Sequence, residues 1–280
     1  MLRANTLNRV STLCRASLSY ANPAGALAGC ALDVEIRDGR QSDLPGWETC
    51  GFELVRHHSS VADWTDDEEI ASLHYGEAED LARRLTGCQA ALVSDHVKRS
   101  AEPARRSREQ TPVRLVHSDF AANYEDVARH AYHEVRGRGA ATLDRTGVSS
   151  PDIEAAERIV MLQLWRNLGA PKMDFPMAFC DARTVTPAET RPFPYTGYVA
   201  GGRSFDALAV MAPPDPEDHA WYSFPSMATD EVVAFRTYDT DLVRADQTWF
   251  TPHSAFRDPD VKIGAPARFS VEMRVLCLFT

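Results

Sequence analysis

The sequence lacks several features that mark particular classes of protein. No apolar run approaches the roughly 20 residues that a membrane-spanning helix needs, so we expect no transmembrane segment. The six cysteines stand at long spacings without a CxxC pair, which excludes a zinc ribbon and indicates reduced thiols. Positive charge is scarce, with 30 Lys and Arg against 40 Asp and Glu and a net charge of −10. This balance argues against nucleic acid or an anionic membrane as a general partner.

The residues that are present indicate one globular unit. Hydrophobic residues make up 44% and charged residues 25% of the 280 positions, which is enough apolar material for a sizeable core. We find no internal repeat and no low-complexity tract. We therefore expect a single domain over residues 1–280, and a location in the cytoplasm.

Two stretches carry unusual local charge. The N-terminal segment contains arginine and serine but no acidic residue before Asp33, which is compatible with an organelle transit peptide. Because nothing marks a cleavage site, we favour a frayed or strand-forming N-terminus. The run from Lys98 to Arg108 is basic, and we interpret it as an exposed loop, with a patch for an acidic partner as the minor alternative.

Periodicity divides the chain into a mixed first part and a strand-rich second part. Residues 28–60 alternate short apolar runs with turn residues, as strands do. Apolar residues at helical spacing follow an acidic turn near Asp63 and stop at Gly87, which predicts a capped helix. A further helix is expected over 121–135, and strands dominate from Ile159 to the C-terminus.

A short predicted strand, Val113–Phe120, ends in His117-Ser-Asp119. On a strand, side chains two residues apart point to the same face, so His117 and Asp119 project together. An imidazole and a carboxylate supply two ligands of the facial triad that holds non-haem Fe(II) with open coordination positions. The motif also occurs often by chance, so a hydrogen-bonded pair without a metal is the alternative.

The predicted C-terminal strand has one polar and one apolar face. Arg268, Ser270, Glu272 and Arg274 share the polar face with a period of two. A guanidinium fork beside a hydroxyl suits a dicarboxylate. Arg274 lies about 20 Å along the strand from Arg268, so the two arginines cannot grip one small molecule. We assign this anion-binding role to Arg268 with Ser270.

His253 is the candidate third metal ligand. It lies upstream of Arg268 with room for a loop and a return strand, and a jelly-roll barrel can bring it close to His117. Trp165 and Arg166 end a predicted strand and either contact a cosubstrate or substrate carboxylate, or form a core tryptophan and an acid-paired arginine. For Arg274 we favour an ion pair with Glu272 or another acid over ligand binding.

Other histidines are interpreted as solvated or locally hydrogen-bonded. His130 and His133 with Glu134 stand at helical spacing and could mimic a metal site, but the predicted helix is otherwise polar. The same interpretation applies to His57-His58 and to His219.

The sequence resembles the AsaB/CmcJ-type, gibberellin desaturase-like family of oxygenases from secondary metabolism. The resemblance runs from about Gly51 to the C-terminus. It is carried, in order, by Thr86-Gly-Cys, Asp95-His-Val-Lys-Arg, His117-Ser-Asp-Phe, Leu164-Trp-Arg-Asn-Leu, Phe175-Pro-Met-Ala-Phe-Cys-Asp-Ala-Arg-Thr-Val, His219-Ala-Trp-Tyr-Ser-Phe-Pro-Ser-Met-Ala-Thr-Asp-Glu, Tyr238-Asp-Thr, His253-Ser-Ala-Phe and Pro266-Ala-Arg-Phe-Ser-Val-Glu-Met-Arg.

The resemblance implies an α+β, mainly β fold: a double-stranded β-helix (jelly roll, cupin-like) core with helices packed outside. We expect the core over about 110–280, after an N-terminal strand and helix extension over 28–100. The resemblance also implies Fe(II), the cosubstrate 2-oxoglutarate and O2. The expected reaction is oxidation of a small metabolite by hydroxylation, desaturation or, in some relatives that act on amino acids, oxidative closure to an aziridine.

Within that expectation, His117, Asp119 and His253 hold the metal, and Arg268 with Ser270 hold the distal carboxylate of 2-oxoglutarate. A small-molecule substrate is the expected partner, with no nucleic acid or membrane, and a homo-oligomer stays open. Two other functions are kept as alternatives: a cupin-like metal enzyme that does not use 2-oxoglutarate, and a metal-free barrel that only binds a ligand.

Overall fold

Thirteen strands carry the fold of the part of the chain that the computed structural model describes, which is residues 11–25, 27, 29–100, 111–130, 138–195, 205–262 and 264–280. The strands are β1 Thr12–Tyr20, β2 Cys30–Asp38, β3 Phe52–Arg56, β4 Ala90–Ser100, β5 His117–Ser118, β6 Arg158–Asn167, β7 Met177–Cys180, β8 Thr190–Tyr195, β9 Phe205–Val210, β10 Trp221–Ser223, β11 Glu231–Asp239, β12 His253–Ala255 and β13 Phe269–Phe279.

These strands form two sheets. The larger sheet has eight strands in the order β1-β2-β10-β7-β12-β5-β9-β8, and the smaller has five in the order β3-β11-β6-β13-β4. Neighbours in each sheet come from distant parts of the sequence, as the crossing strands of a jelly roll do. Pairing of β12 with β5 places His253 directly opposite His117.

Helices pack against both sheets, with α3 on one face of the smaller sheet. The helices are α1 Trp47–Cys50, α2 Asp67–Glu69, α3 Tyr75–Thr86, α4 Tyr124–His130, α5 Arg138–Thr146, α6 Ser150–Ala155 and α7 Thr240–Arg244, with a π-helical turn Ile70–His74 and short 3₁₀ turns Ala182–Thr184, Pro187–Glu189 and Pro216–Asp218. The predicted capped helix is confirmed: its Asp66 side chain accepts from two backbone N–H groups, and Gly87 ends it in the left-handed region at φ 72°. Apolar residues of α3 such as Leu81 pack against Leu162 and Val275 of the sheet.

A second apolar core fills the space between the two sheets. It combines Trp165 and Phe235 from the smaller sheet with Phe179 and Tyr222 from the larger one. Because β6 and β13 have cores on both faces, nearly every residue in them is buried. The polar side chains that point inward from these two strands therefore lie in a water-poor interior.

The predicted core range of 110–280 supplies nine of the thirteen described strands, and β1 to β4 complete the two sheets. The strand-forming alternative for the N-terminus agrees with β1, which pairs with β2 along its length. The predicted strand over 113–120 is shorter than expected, because only His117–Ser118 keep regular pairing. Among the described residues, no helix is long and apolar enough to span a membrane.

Candidate metal centre

The structure brings His117, Asp119 and His253 together between the two sheets. His117 lies on β5, Asp119 directly after that strand, and His253 on the neighbouring β12. One donor atom from each side chain lies within 4.8 Å of the other two. The pairing of two short strands thus places three metal-ligating groups around one point, as the spacing of His117 and Asp119 predicts.

Backbone carbonyls orient both imidazoles. The Nδ1 atom of His117 lies 2.8 Å from the Leu115 carbonyl oxygen, and that of His253 lies 3.1 Å from the Thr251 carbonyl oxygen. A carbonyl only accepts, so each Nδ1 carries the proton and each Nε2 keeps a lone pair. The two Nε2 atoms lie 3.7 and 3.8 Å from Asp119 Oδ1. These separations exceed hydrogen-bond length, so the three atoms surround a space that a metal ion can fill.

The other carboxylate oxygen of Asp119 is held by two residues of the smaller sheet. Arg274 donates to Oδ2 from Nε at 2.8 Å and from Nη2 at 2.7 Å, and Gln163 donates to the same oxygen. The carboxylate is therefore fixed through Oδ2, while Oδ1 faces the histidines. Such outer partners orient metal ligands and raise metal affinity.

The electrostatics of the three side chains suit a cation. Burial alone would raise the pKa of Asp119, but the charge of Arg274 outweighs it and holds that pKa well below its usual range. Burial lowers the pKa of His253 to about 4, with a contribution from His117, and burial also lowers the pKa of His117. At neutral pH the site thus presents one carboxylate and two neutral imidazoles, the protonation states in which these groups bind metals.

Arg268 directly precedes β13 and lines the same cavity, and Ser270 lies on β13 beside it. The Arg268 side chain is 1% exposed; its Nε donates to Ser270 Oγ at 2.9 Å and its Nη1 contacts Met177 Sδ at 3.1 Å. The guanidinium also stacks on Trp165, with Cζ 5.1 Å from a ring centroid. No carboxylate of the described residues lies within 4 Å of it, and burial lowers its pKa to about 9, helped by the charge of Arg99.

Three polar residues of the site escaped sequence reasoning. Gln163 stands in the middle of the apolar strand β6, and a polar residue at such a position could have indicated a buried hydrogen-bonding role. Glu272 was placed on the polar face of β13 but given no role except as a partner of Arg274, whereas it accepts two hydrogen bonds from Arg99. Arg99 is the second residue of the basic run that was interpreted as an exposed loop. That interpretation is wrong for Lys98 to Ser100, which lie on β4 with Arg99 buried, and residues 101–110 lie outside the described part.

The remaining candidates lie elsewhere or have other partners. Arg274 binds Asp119 rather than Glu272. Arg166 points to the opposite face of β6 from Trp165, where its guanidinium donates to the carbonyl oxygens of His57 and Thr229 and to the His57 ring. This placement favours a structural role for Arg166.

Local hydrogen bonds account for two of the other histidines. His130 donates to the Asp126 carbonyl oxygen in its own helix, and His219 bonds to Tyr20 and Glu189. His133 and Glu134 lie outside the described residues.

Two cavities meet at Met177. The first is lined by Arg99, Val113, His117, Asp119, Met177, His253, Arg268 and Glu272, and so contains the metal-ligating groups and the buried guanidinium. The second has a volume of about 280 Å³ and a mostly apolar wall that includes Trp165, Met177, Phe179, Phe224 and Met227. Among the described lining residues, Met177 is the one that borders both cavities.

Comparison with known proteins identifies the family. A family model described as an oxidoreductase/YMDC permease-like domain matches residues 22–278. The hydroxylase/desaturase CTB9 of Cercospora beticola is 28% identical over 244 residues, 81% of this chain and 70% of the relative. The hydroxylase/desaturase efuI of Hormonema carpetanum is 30% identical over 240 residues, 81% of this chain and 76% of the relative.

A solved structure confirms the predicted fold class. The iron and alpha-ketoglutarate-dependent endoperoxidase NvfI superposes with a TM-score of 0.74 and 22% identity, over 96% of this chain and 98% of that one. The family model spans most of the sequence, and a relative reaches 30% identity over 76% of its own length. The chain therefore belongs to the AsaB/CmcJ-type family of Fe(II)/2-oxoglutarate-dependent oxygenases that its sequence blocks resemble.

Proposed function

We propose that His117, Asp119 and His253 hold Fe(II), that Arg268 and Ser270 bind the distal carboxylate of 2-oxoglutarate, and that the chain oxidises a small metabolite. The observation that carries this proposal is the convergence of two Nε2 atoms and Asp119 Oδ1, with every other polar atom of the three side chains already engaged.

The donor set fits Fe(II) in particular. Two imidazoles and one carboxylate form the facial triad of non-haem iron oxygenases, which leaves coordination positions open. Zinc enzymes also use such ligands, so the binding site for the distal carboxylate of 2-oxoglutarate is needed to distinguish the two classes. A buried guanidinium that has no carboxylate partner among the described residues, and lies beside a hydroxyl, is what a distal carboxylate requires.

The protein residues contribute binding, orientation and exclusion of water. When bound, Fe(II) and 2-oxoglutarate supply O2 activation, in which the cosubstrate leaves as succinate and CO2 while a C–H bond of the substrate is oxidised. Arg274 and Gln163 keep Asp119 in one orientation. Arg268 sets the position of the cosubstrate, and Val113 and Met177 supply the apolar part of the wall around the metal-ligating groups.

Relatives guide the choice of substrate class. Two of them are named hydroxylase/desaturases and one structure is that of an endoperoxidase, so we assign to this chain a small organic metabolite and the oxidation of a C–H bond. Hydroxylation, desaturation and oxidative cyclisation share hydrogen abstraction and differ in the fate of the resulting substrate radical. The cytoplasmic location, the absence of nucleic-acid or membrane partners and a homo-oligomer stay predictions.

Succinate formation tests the proposal. Wild-type protein with 2-oxoglutarate and O2 should form succinate only when Fe(II) is added, and Asp119→Ala should form none. The matched control Asp144→Ala removes an exposed carboxylate of α5 and should behave as wild type. Metal binding without succinate formation would favour the cupin-like enzyme, and absence of metal binding would favour the ligand-binding barrel.

A further inference from the structure

Glu272 is the acidic residue of β13 that lines the cavity of the metal-ligating side chains. It is 8% exposed, and its Oε1 atom accepts from Arg99 Nε at 3.2 Å and Nη2 at 2.7 Å. Within the described residues, no donor reaches its Oε2 atom. Among the described residues, one oxygen of this largely buried carboxylate therefore has no hydrogen-bond donor.

An oxygen of this kind needs a donor from inside the cavity. Buried polar atoms in folded proteins are almost always hydrogen-bonded, and a buried charge without a full set of partners is costly. The cavity that Glu272 faces is lined by His117, Asp119 and His253. A donor held in this cavity beside those three residues would complete the hydrogen bonding of Oε2.

The position of Glu272 along β13 indicates which molecule this is. Ser270 lies two residues before it on the same face and bonds to Arg268, whereas Arg274 lies two residues after it and holds Asp119. Glu272 thus lies between the anion-binding end and the metal-binding end of the site. A water molecule bound to a divalent cation is a strong hydrogen-bond donor and fits this place.

We propose that Glu272 is a positioning residue of the metal centre, whose Oε2 atom accepts a hydrogen bond from a water ligand of the metal. This inference rests on the proposed function, because it requires a metal among His117, Asp119 and His253. Glu272 does not bind the metal itself. Like Arg274, it would act on a ligand of the metal rather than on the metal itself.

Glu272→Gln tests the hydrogen bond with little change of shape. The amide oxygen would turn toward the Arg99 cation, so the cavity would receive an NH2 group, a donor where an acceptor is needed. Mn(II) affinity of the full chain, read from the EPR signal of the free ion, should fall about tenfold, as loss of an outer-shell partner does. Glu272→Asp keeps the charge but withdraws the oxygen by one methylene, and should lose a similar factor.

Glu231→Gln is the matched control. Glu231 is also a buried carboxylate paired with an arginine, Arg40, but it does not line this cavity, so Mn(II) affinity should stay within about twofold. Wild-type affinity in Glu272→Gln would overturn the inference, and so would wild-type affinity in Glu272→Asp, since charge alone would then suffice. If wild-type protein does not bind Mn(II), the proposed function fails as well; if wild type binds and forms succinate, only the role of Glu272 is at stake.

Discussion

Replacing Arg268 with Met should stabilise the ligand-free protein while it abolishes tight cosubstrate binding. The guanidinium is 1% exposed, and its partners are a hydroxyl, a thioether and the Trp165 ring rather than a carboxylate. An unpaired buried charge carries a desolvation penalty of several kcal/mol, and apolar residues of similar volume often relieve it. Methionine fills the same space without charge.

The structure allows the size of both effects to be bounded. Losing the two hydrogen bonds of the Arg268 side chain would lower the free energy of unfolding by about 1 kcal/mol each. Removing the desolvation penalty of the buried charge would raise it by more, so we expect the free energy of unfolding to rise by about 1 kcal/mol. For a chain of this length that gain raises Tm by about 2 °C. Truncating one partner of a buried, hydrogen-bonded charge pair costs about 3 kcal/mol of binding, which is roughly a hundredfold in Kd.

Two calorimetric assays measure these quantities. Scanning calorimetry of metal-free protein gives Tm, and titration of the Mn(II)-loaded protein gives Kd for 2-oxoglutarate and for 2-oxovalerate, which lacks the distal carboxylate. Wild type should prefer 2-oxoglutarate strongly, whereas Arg268→Met should bind the two acids equally. A variant that is less stable and still prefers 2-oxoglutarate would refute the assignment of Arg268 as the carboxylate anchor.

Three further outcomes are expected. Arg274→Leu removes both of its hydrogen bonds to Asp119 Oδ2 and should weaken Mn(II) binding about tenfold by EPR; unchanged affinity would show that Asp119 needs no such support. Arg166→Leu should lower the free energy of unfolding by about 2 kcal/mol, because buried acceptors lose their donor, yet leave Kd for 2-oxoglutarate within about twofold; a large rise in Kd would contradict its placement. Burial lowers the pKa of His57 and of His74 to about 4, below about 6.5 in the unfolded chain, so unfolded molecules bind more protons between these values. Urea denaturation should therefore show stability falling as pH drops from 6.5 to 4, and a flat profile would contradict this.

Local patterns predicted the parts of the site that lie close together in sequence. His117 and Asp119 share one short segment, and Arg268 and Ser270 stand two residues apart where β13 begins. Helix signals also sufficed between residues 63 and 87, because the acidic turn and Gly87 act on the backbone beside them. In each case a single element sets the geometry.

Pairing between strands far apart in sequence decided what local patterns could not. The partner of Arg274 depends on how the smaller sheet faces the larger one, so Asp119 could not be distinguished from Glu272. The inward direction of Arg99 depends on its register opposite Ser270. Arg166 and Trp165 are adjacent, yet which of them faces the interior depends on which side of β6 the helices cover.

Anaerobic absorption spectroscopy tests the metal centre and the cosubstrate site together. Fe(II) chelated by 2-oxoglutarate has a visible charge-transfer band, which should appear in wild-type protein and saturate at one Fe(II) per chain. His253→Ala removes one of the three ligands and should show no band under the same conditions. A band of equal intensity in His253→Ala, or no band in wild type, would contradict the assignment of His117, Asp119 and His253 as the iron site.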